Sequence, residues 1–342
     1  MDEEKTIKRV DYIDIAKAIG ITLVILGHIN NYNESIKPYI YAFHMPLFFF
    51  LYGFSQNKKF INENKLISII YRRFKSLIIP YILWALIYAG ITPKNILFIM
   101  YGSHISLKTV SNSSLWYLPC FFISVSIYEI IKFVLNKTKV NEKIKYLFLA
   151  VIGLCMFIIS LILPKFMNLG YLWGIDVALV GVFFIIIGLF SRMLIEIKEI
   201  KNIKLKYLSL FTVFLFIFTF LYKINKIDYV LMAENNYGNP IAFLISGVLG
   251  CYFVIMFSIF LDRIMKKRIK NYITFVGKNT LCIFAIQKIV ISACTIIVKA
   301  LNLPNIIAII IILILTLTFS SVAIIFINKF IPELNGKMIK AN

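Results

Sequence analysis

The stretch NIIAIIIILILTLTFSSVAIIFIN, residues 305–328, decides the fold class of this protein. Its 24 residues include no charged side chain, and about 20 apolar residues suffice to cross ~30 Å of hydrocarbon as an α-helix. Comparable apolar runs recur along the whole sequence. The sequence therefore predicts an all-α, polytopic integral membrane bundle.

Ten membrane spans are predicted when the same test is applied outward from this run. The 342 residues are 60% hydrophobic and 15% charged, with a mean hydropathy of +0.86, whereas soluble domains are roughly half apolar and a quarter charged. Because no polar stretch is long enough to build a soluble domain, residues 1–342 are predicted to form a single membrane domain. The predicted spans lie at about 12–29, 39–56, 66–91, 114–134, 146–163, 171–190, 207–222, 240–261, 273–298 and 305–328.

The placement of the basic residues predicts the orientation of these spans. The formal net charge of +21 comes from short Lys and Arg clusters between apolar runs, which indicates a topology signal and not a nucleic-acid partner. With a cytoplasmic N-terminus, the inside segments hold 26 basic residues and the outside loops hold 7. The positive-inside rule then places both termini in the cytoplasm. The many Ile, Lys and Asn residues are typical of an AT-rich bacterial genome, which favours a multi-pass protein of a bacterial plasma membrane.

Several polar or reactive residues are assigned no role in catalysis. The five cysteines lie in apolar segments without CxxC or metal-ligand spacing, so they are interpreted as small core or lipid-facing residues and no metal site is predicted. The longest outside loops, 92–113 and 223–239, are polar, and they either contact a glycan or are simply solvated. His104 lies in the first of these loops and is expected to be solvated.

Ionisable side chains cluster in the first span, although each costs at least ~2.5 kcal/mol inside a bilayer. Lys17 and His28 are eleven residues apart, which is three helical turns with a ~20° offset and ~16 Å along the helix axis. They are therefore predicted to line one cavity between the two membrane faces. Asp14 precedes Lys17 by one turn and can pair with it.

The second span adds His44 beside Pro46, a residue that interrupts helical hydrogen bonding and permits an irregular backbone next to a cavity. Two of the three histidines thus fall in the first two spans. The alternatives are structural. His28 can be an interfacial residue at a helix end, His44 a buried hydrogen-bonded residue, and Lys17 a side chain that extends to the inner surface.

These stretches resemble the membrane acyltransferase-3 family, which includes carbohydrate O-acetyltransferases such as fucose 4-O-acetyltransferase-like proteins. The first two stretches are the specific ones, and Lys17 and His28 match the family's motif of a basic residue, ten residues and a histidine. The matching stretches are DIAKAIGITLVILGH at 14–28, FHMPLFFFLYGF at 43–54, RRFKSLIIPY at 72–81, LWYLPCFF at 115–122 and GKNTLCIFAIQ at 277–287.

The resemblance implies transfer of an acyl group, usually acetyl, from cytoplasmic acyl-CoA to a hydroxyl of a cell-surface carbohydrate or its lipid-linked precursor. A sugar hydroxyl needs a base that titrates near neutrality, and the family's catalytic role falls on His28. His44 is assigned to the catalytic site as well, either to support the base or to contact the substrate. Acyl-CoA carries several phosphates, for which basic side chains are suitable ligands. The residues expected to bind acetyl-CoA are Lys17, Arg72, Arg73 and Lys75, although topology alone equally explains the last three.

Four further residues are assigned to the acceptor, and two positions depart from the family's pattern. The acceptor residues are Asp14, Trp116, Asp176 and Gln287, although Asp176 can equally be interfacial. Where the family often has Arg-x-x-Arg before the third helix, the second position aligned on Arg73 is Ser76. Where the family commonly has a histidine, Gln287 cannot exchange a proton, so this position is not a base.

Two other classes of function compete with the acyltransferase interpretation. Export of a polysaccharide or a lipid-linked sugar is the main alternative, but polar groups become sparse after the fourth predicted span, and the inverted repeats frequent in transporters are not visible. A membrane sensor is disfavoured because no soluble output domain follows the spans. The acyl group, the acceptor sugar and the oligomeric state are left open by the sequence.

Overall fold

The computed structural model describes residues 10–29, 37–56, 60–110, 112–163, 169–197, 213–214, 217 and 230–337. The regular structure in these ranges is helical, and the only β-type pairing there is an isolated bridge between Leu231 and Asn236. The all-α prediction is therefore confirmed. Apart from positions 213–214 and 217, the predicted span 207–222 lies outside the described residues.

Fourteen α-helices are described in these ranges, and six helical segments are long and apolar enough to cross a membrane. These segments are Ser113–Lys137, Glu142–Ile162, Leu172–Leu194, Pro240–Ile264, Thr280–Lys299 and Asn305–Phe330, and they indicate a multi-pass membrane protein. The count of ten spans, the single domain and the cytoplasmic termini stay predictions. The helices are α1 (Asp11–His28), α2 (Lys37–Tyr41), α3 (His44–Ser55), α4 (Glu63–Arg73), α5 (Ile79–Ala89), α6 (Pro93–Tyr101), α7 (His104–Val110), α8 (Tyr117–Lys137), α9 (Glu142–Ile162), α10 (Ile175–Ile197), α11 (Pro240–Ile264), α12 (Lys267–Lys278), α13 (Thr280–Lys299) and α14 (Asn305–Phe330).

The predicted span 39–56 is broken into α2 and α3, but the break is not at Pro46. The chain leaves helical geometry at Ala42 and Phe43, so Pro46 falls in the first turn of α3. Proline is tolerated there because the first N–H groups of a helix have no intrahelical partner. As a result, His44 becomes the first residue of α3 and lies beside the irregular backbone.

The predicted span 66–91 is continuous but changes its hydrogen bonding in the middle. A π-helical turn, Phe74–Ile78, joins α4 to α5, just before Pro80. Proline has no N–H to offer to the carbonyl four residues earlier, which here is that of Ser76. A π-turn inside an α-helix is a frequent mark of a functional segment, and this one follows directly on Arg73.

The predicted span 273–298 is also two helices, because α12 ends at Lys278 and α13 begins at Thr280. The intervening Asn279 is buried, and its side-chain oxygen accepts hydrogen bonds from Asn335 at 2.7 Å and from Lys337 at 3.0 Å. A 3₁₀ turn at Pro332–Asn335 carries the first of these donors. The C-terminal turn is thereby tied to the corner between α12 and α13.

The centre of the bundle is formed by close helix contacts. Helix α10 packs along α3 and α8, and α1 packs against α11, α12 and α13. A β-carbon at Gly277 would overlap the backbone carbonyl of Asp14, so glycine is what lets α12 approach α1 this closely. This contact brings the end of α12 next to Lys17.

Candidate active site

Three neighbouring cavities contain most of the residues singled out from the sequence. We name them the cationic cavity, with Lys17, Arg73 and Lys278; the histidine cavity, with His28, His44 and His104; and the Asp176 cavity, with Asp176. Their volumes are 260, 120 and 540 Å³. Each neighbouring pair shares lining residues, so the three cavities form a series through the bundle.

The cationic cavity collects basic side chains from three separate segments. Lys17 comes from α1, Arg73 from the end of α4, and Lys278 from the end of α12. The Lys17 ammonium lies 3.6 Å from the carboxylate of Asp14, so the predicted pairing within the helix is present. Such a cluster can bind phosphate groups by charge-assisted hydrogen bonds.

Arg73 is held over the cationic cavity by two residues that sequence analysis missed. Its guanidinium lies 4.9 Å from the centroid of the Tyr52 ring, and the Tyr52 hydroxyl donates a 2.9 Å hydrogen bond to Glu129. Glu129 is buried in α8. A carboxylate inside a predicted span was the available signal, because such a residue demands a polar partner.

The neighbouring basic residues of the predicted acyl-CoA site point elsewhere. Arg72 is exposed, and its Nε donates to the Ser68 carbonyl at 3.4 Å. The Lys75 ammonium lies 4.3 Å from the centroid of the Tyr71 ring. Neither residue lines the cationic cavity. The structure thus brings together Lys17 and Arg73 of the predicted set, and adds Lys278 in place of Arg72 and Lys75.

All three histidines of the sequence line the histidine cavity. The expectation that His104 is solvated is therefore wrong. The segment around it folds into α6 and α7, which leaves its side chain 17% exposed, with Nδ1 3.7 Å from a carboxylate oxygen of Glu234. Burial lowers the pKa of His104, and the charge of Glu234 opposes this shift.

His28 and His44 are oriented by the same backbone device. The Nδ1 atom of each ring lies 2.8 Å from the carbonyl oxygen four residues earlier, Val24 for His28 and Ile40 for His44. A carbonyl only accepts hydrogen bonds, so Nδ1 carries the proton in both neutral rings and Nε2 keeps its lone pair. The Nε2 atom of His28 lies 3.4 Å from the Ser114 hydroxyl, which shows that a hydroxyl fits beside this nitrogen.

Lys17 and His28 do not share one cavity, contrary to the expectation from their helical spacing. Lys17 lines the cationic cavity and His28 lines the histidine cavity. The two residues that line both cavities are Met45 and Phe284. Helical periodicity predicted the shared side of α1 but had no information on side chains that other helices insert between the two ends.

The Asp176 cavity joins the histidine cavity through Trp116, His104, Ala233 and Glu234, which line both. Two residues predicted to bind the acceptor, Trp116 and Asp176, therefore lie together. Its wall also carries Lys108, Tyr171, Asn235 and Asn236. A cavity of 540 Å³ with these polar side chains on its wall can hold a ligand rich in hydroxyl groups.

The other two residues predicted to bind the acceptor lie apart from this group. Asp14 is buried beside Lys17, and Gln287 is 1% exposed within α13. Neither lines any of the three cavities. Among the described residues, the side-chain amide of Gln287 has no hydrogen-bond partner. The geometry therefore lends no support to acceptor contacts for Asp14 or Gln287.

Comparison with known proteins identifies the family to which the chain belongs. The acyltransferase-3 family model, described as an acyltransferase domain, matches residues 10–325. This range covers α1 to most of α14 and includes every residue of the three cavities. No curated protein and no solved structure shows significant similarity to the chain.

Proposed function

Because this chain belongs to the acyltransferase-3 family, we propose that it moves an acyl group, acetyl in the simplest case, from acyl-CoA to a hydroxyl of a cell-surface carbohydrate or its lipid-linked precursor. Acyltransferase activity follows from the family, and membrane residence follows from the apolar helices as well. The observation that supports this donor and this acceptor is the series formed by the cationic cavity, the histidine cavity and the Asp176 cavity. The proposed location is the plasma membrane of a bacterium.

Acyl-CoA occupies the cationic cavity in this proposal. Its phosphates contact Lys17, Arg73 and Lys278, because ammonium and guanidinium groups bind phosphate oxygens strongly. The hydrogen bond between Tyr52 and Glu129 keeps the ring under Arg73 in place. In the orientation predicted by the positive-inside rule, this cavity opens at the cytoplasmic end, where acyl-CoA is found.

His28 acts as the general base on the acceptor. Its Nε2 takes the proton of the acceptor hydroxyl while the hydroxyl oxygen attacks the thioester carbonyl carbon. A C–O ester bond forms, the C–S bond breaks, and the proton passes to the sulfur so that CoA leaves as the free thiol. The Nδ1–H bond to the Val24 carbonyl holds the ring in the tautomer this step needs. His44 lines the same cavity and supports the reaction there.

The carbohydrate acceptor enters from the Asp176 cavity. Asp176 and Trp116 are suited to a sugar because carboxylates accept hydrogen bonds from hydroxyls and an indole packs on an apolar face. Lys108, Asn235 and Asn236 supply further polar contacts. Trp116 and His104 line both the Asp176 cavity and the histidine cavity, so they are placed to guide one hydroxyl toward His28.

The proposal is tested by measuring acetyl transfer from acetyl-CoA to glycan in membranes that contain the protein. Membranes with and without it are incubated with acetyl-CoA labelled in the acetyl group, and ester-linked label is measured in the glycan fraction before and after mild alkali. Label that depends on the protein and is released by alkali is expected. Glycan that is translocated but never labelled would support export, which the family does not favour, and would refute the proposal.

A further inference from the structure

Met45 and Phe284 separate the cationic cavity from the histidine cavity. Among the described residues, these are the two that line both spaces. Met45 is in the first turn of α3, beside His44, and Phe284 is in α13. Both side chains are almost completely buried, at 8% and 7% exposure. We refer to this pair as the partition.

The two members of the partition differ in how their side chains are packed. The Phe284 ring packs edge-on against Tyr117, with 6.0 Å between ring centroids, and Tyr117 in turn packs against Phe49 at 5.0 Å and Trp116 at 5.7 Å. Phe284 is therefore held in an aromatic cluster. Met45 has an unbranched side chain with three rotatable bonds, and such a side chain adapts to its surroundings. Opening of the partition is thus expected to depend on a rotamer change of Met45.

We propose that the acyl group must cross this partition and that the sizes of Met45 and Phe284 set the largest acyl group that is transferred. The inference rests on the proposed function, in which the phosphates stay with Lys17, Arg73 and Lys278 while the hydroxyl is activated by His28. The basic residues and the imidazole lie on opposite sides of the partition. Only the thioester end of the donor crosses it, so the partition acts on the acyl group and not on the nucleotide.

The size of the histidine cavity strengthens this selection. Its 120 Å³ must hold both the acyl group and one acceptor hydroxyl. One additional methylene in a tight apolar site changes kcat/KM by about 10–200-fold. The wild-type protein is therefore expected to use acetyl-CoA in preference to propionyl-CoA, and to discriminate strongly against butyryl-CoA.

The experiment compares these three donors in variants with a smaller partition. In Phe284→Ala and Met45→Ala, the ratio of kcat/KM for butyryl-CoA to that for acetyl-CoA is expected to rise about tenfold or more. The KM for each donor should change little, because the residues that bind its phosphates are unaltered. A bulkier side chain at the partition, introduced by Met45→Phe, should lower kcat for acetyl transfer with little change in donor KM.

Phe157→Ala in α9 is the matched control, because it removes the same side chain from a buried position that lines none of the three cavities. Its butyryl-to-acetyl ratio should equal that of the wild type. Should the alanine variants fail to accumulate in membranes, Phe284→Leu and Met45→Val replace them, with a smaller rise expected. An unchanged ratio in variants that still transfer acetyl overturns the partition. Absence of transfer from every donor by the wild type overturns the proposed function instead.

Discussion

The cationic cavity and the histidine cavity lie next to each other but are built on different principles. The cationic cavity takes its basic side chains from α1, α4 and α12, and their charges are what a polyanionic ligand would bind. In the histidine cavity, backbone carbonyls orient two imidazole rings and a carboxylate lies beside the third. Substitutions in the first are therefore expected to alter affinity, and substitutions in the second to alter the chemical step.

The largest effect is expected from His28→Ala. Loss of a general base lowers kcat by about 10²–10⁴-fold, while the donor KM should stay near the wild-type value because the cationic cavity is intact. Steady-state acetyl transfer in membranes with matched protein content is the measurement. Retention of wild-type kcat would remove His28 from the mechanism and would erase the functional difference between the two cavities.

Arg73→Ala tests the cationic cavity, and the adjacent residue provides its control. Loss of one charge-assisted hydrogen bond costs about 1.5–3 kcal/mol, so the KM for acetyl-CoA should rise about 10–100-fold with a small change in kcat. Arg72→Ala removes the same side chain from the exposed surface and should leave KM near that of the wild type. Equal effects of the two variants would mean that the cationic cavity does not bind the donor.

A smaller effect on affinity is expected from Tyr52→Phe. This change keeps the ring under the Arg73 guanidinium and removes the hydroxyl that donates to Glu129. The donor KM should rise less than tenfold, since an ordinary hydrogen bond contributes about 1 kcal/mol. Because Tyr52 acts through Arg73, it should have no further effect in an Arg73→Ala background. Additive effects in the double variant would show that Tyr52 contacts the donor by itself.

The smallest effect is expected from protonation of His104. Its pKa is lowered by burial, so the unfolded chain binds a proton at His104 more readily than the folded protein does. The free energy of unfolding should therefore decrease as the pH falls through and below about 6.5. The Tm of each protein is measured in detergent at pH 7.5 and at pH 5.5. The fall in Tm between these two pH values should be smaller for His104→Gln than for the wild type, and the two falls should differ by less than about 3 °C. Identical slopes would contradict this prediction.

Helical spacing located His28 and Lys17 on one side of α1 but could not predict what separates them. The partition is made by Met45 and Phe284, which are 239 positions apart in the sequence. His104 was misplaced for a related reason. Its polar surroundings are typical of a solvated loop, whereas packing of α7 beside the turn that carries Glu234 encloses it.

The sequence also could not predict which of two adjacent basic residues faces the cationic cavity. Arg72 and Arg73 are equivalent in composition and charge pattern, but successive residues of a helix point about 100° apart. Which of them faces the cavity depends on the rotation of α4 about its axis, and that rotation is set by contacts with other helices. Lys278 falls within the predicted span 273–298, but the corner at Asn279 makes it the last residue of α12, where it lines the cationic cavity.

The sequence by itself determined the helical membrane class, the family, and the two histidines of the first spans. Hydropathy, helix length and short motifs are local properties, so they can be read one segment at a time. Only the tertiary structure decided that the ionisable groups divide into successive cavities, that the third histidine joins the other two, and that Arg73 and not Arg72 faces inward. These features arise from contacts between distant segments, whose free energies depend on how the helices pack and rotate against one another.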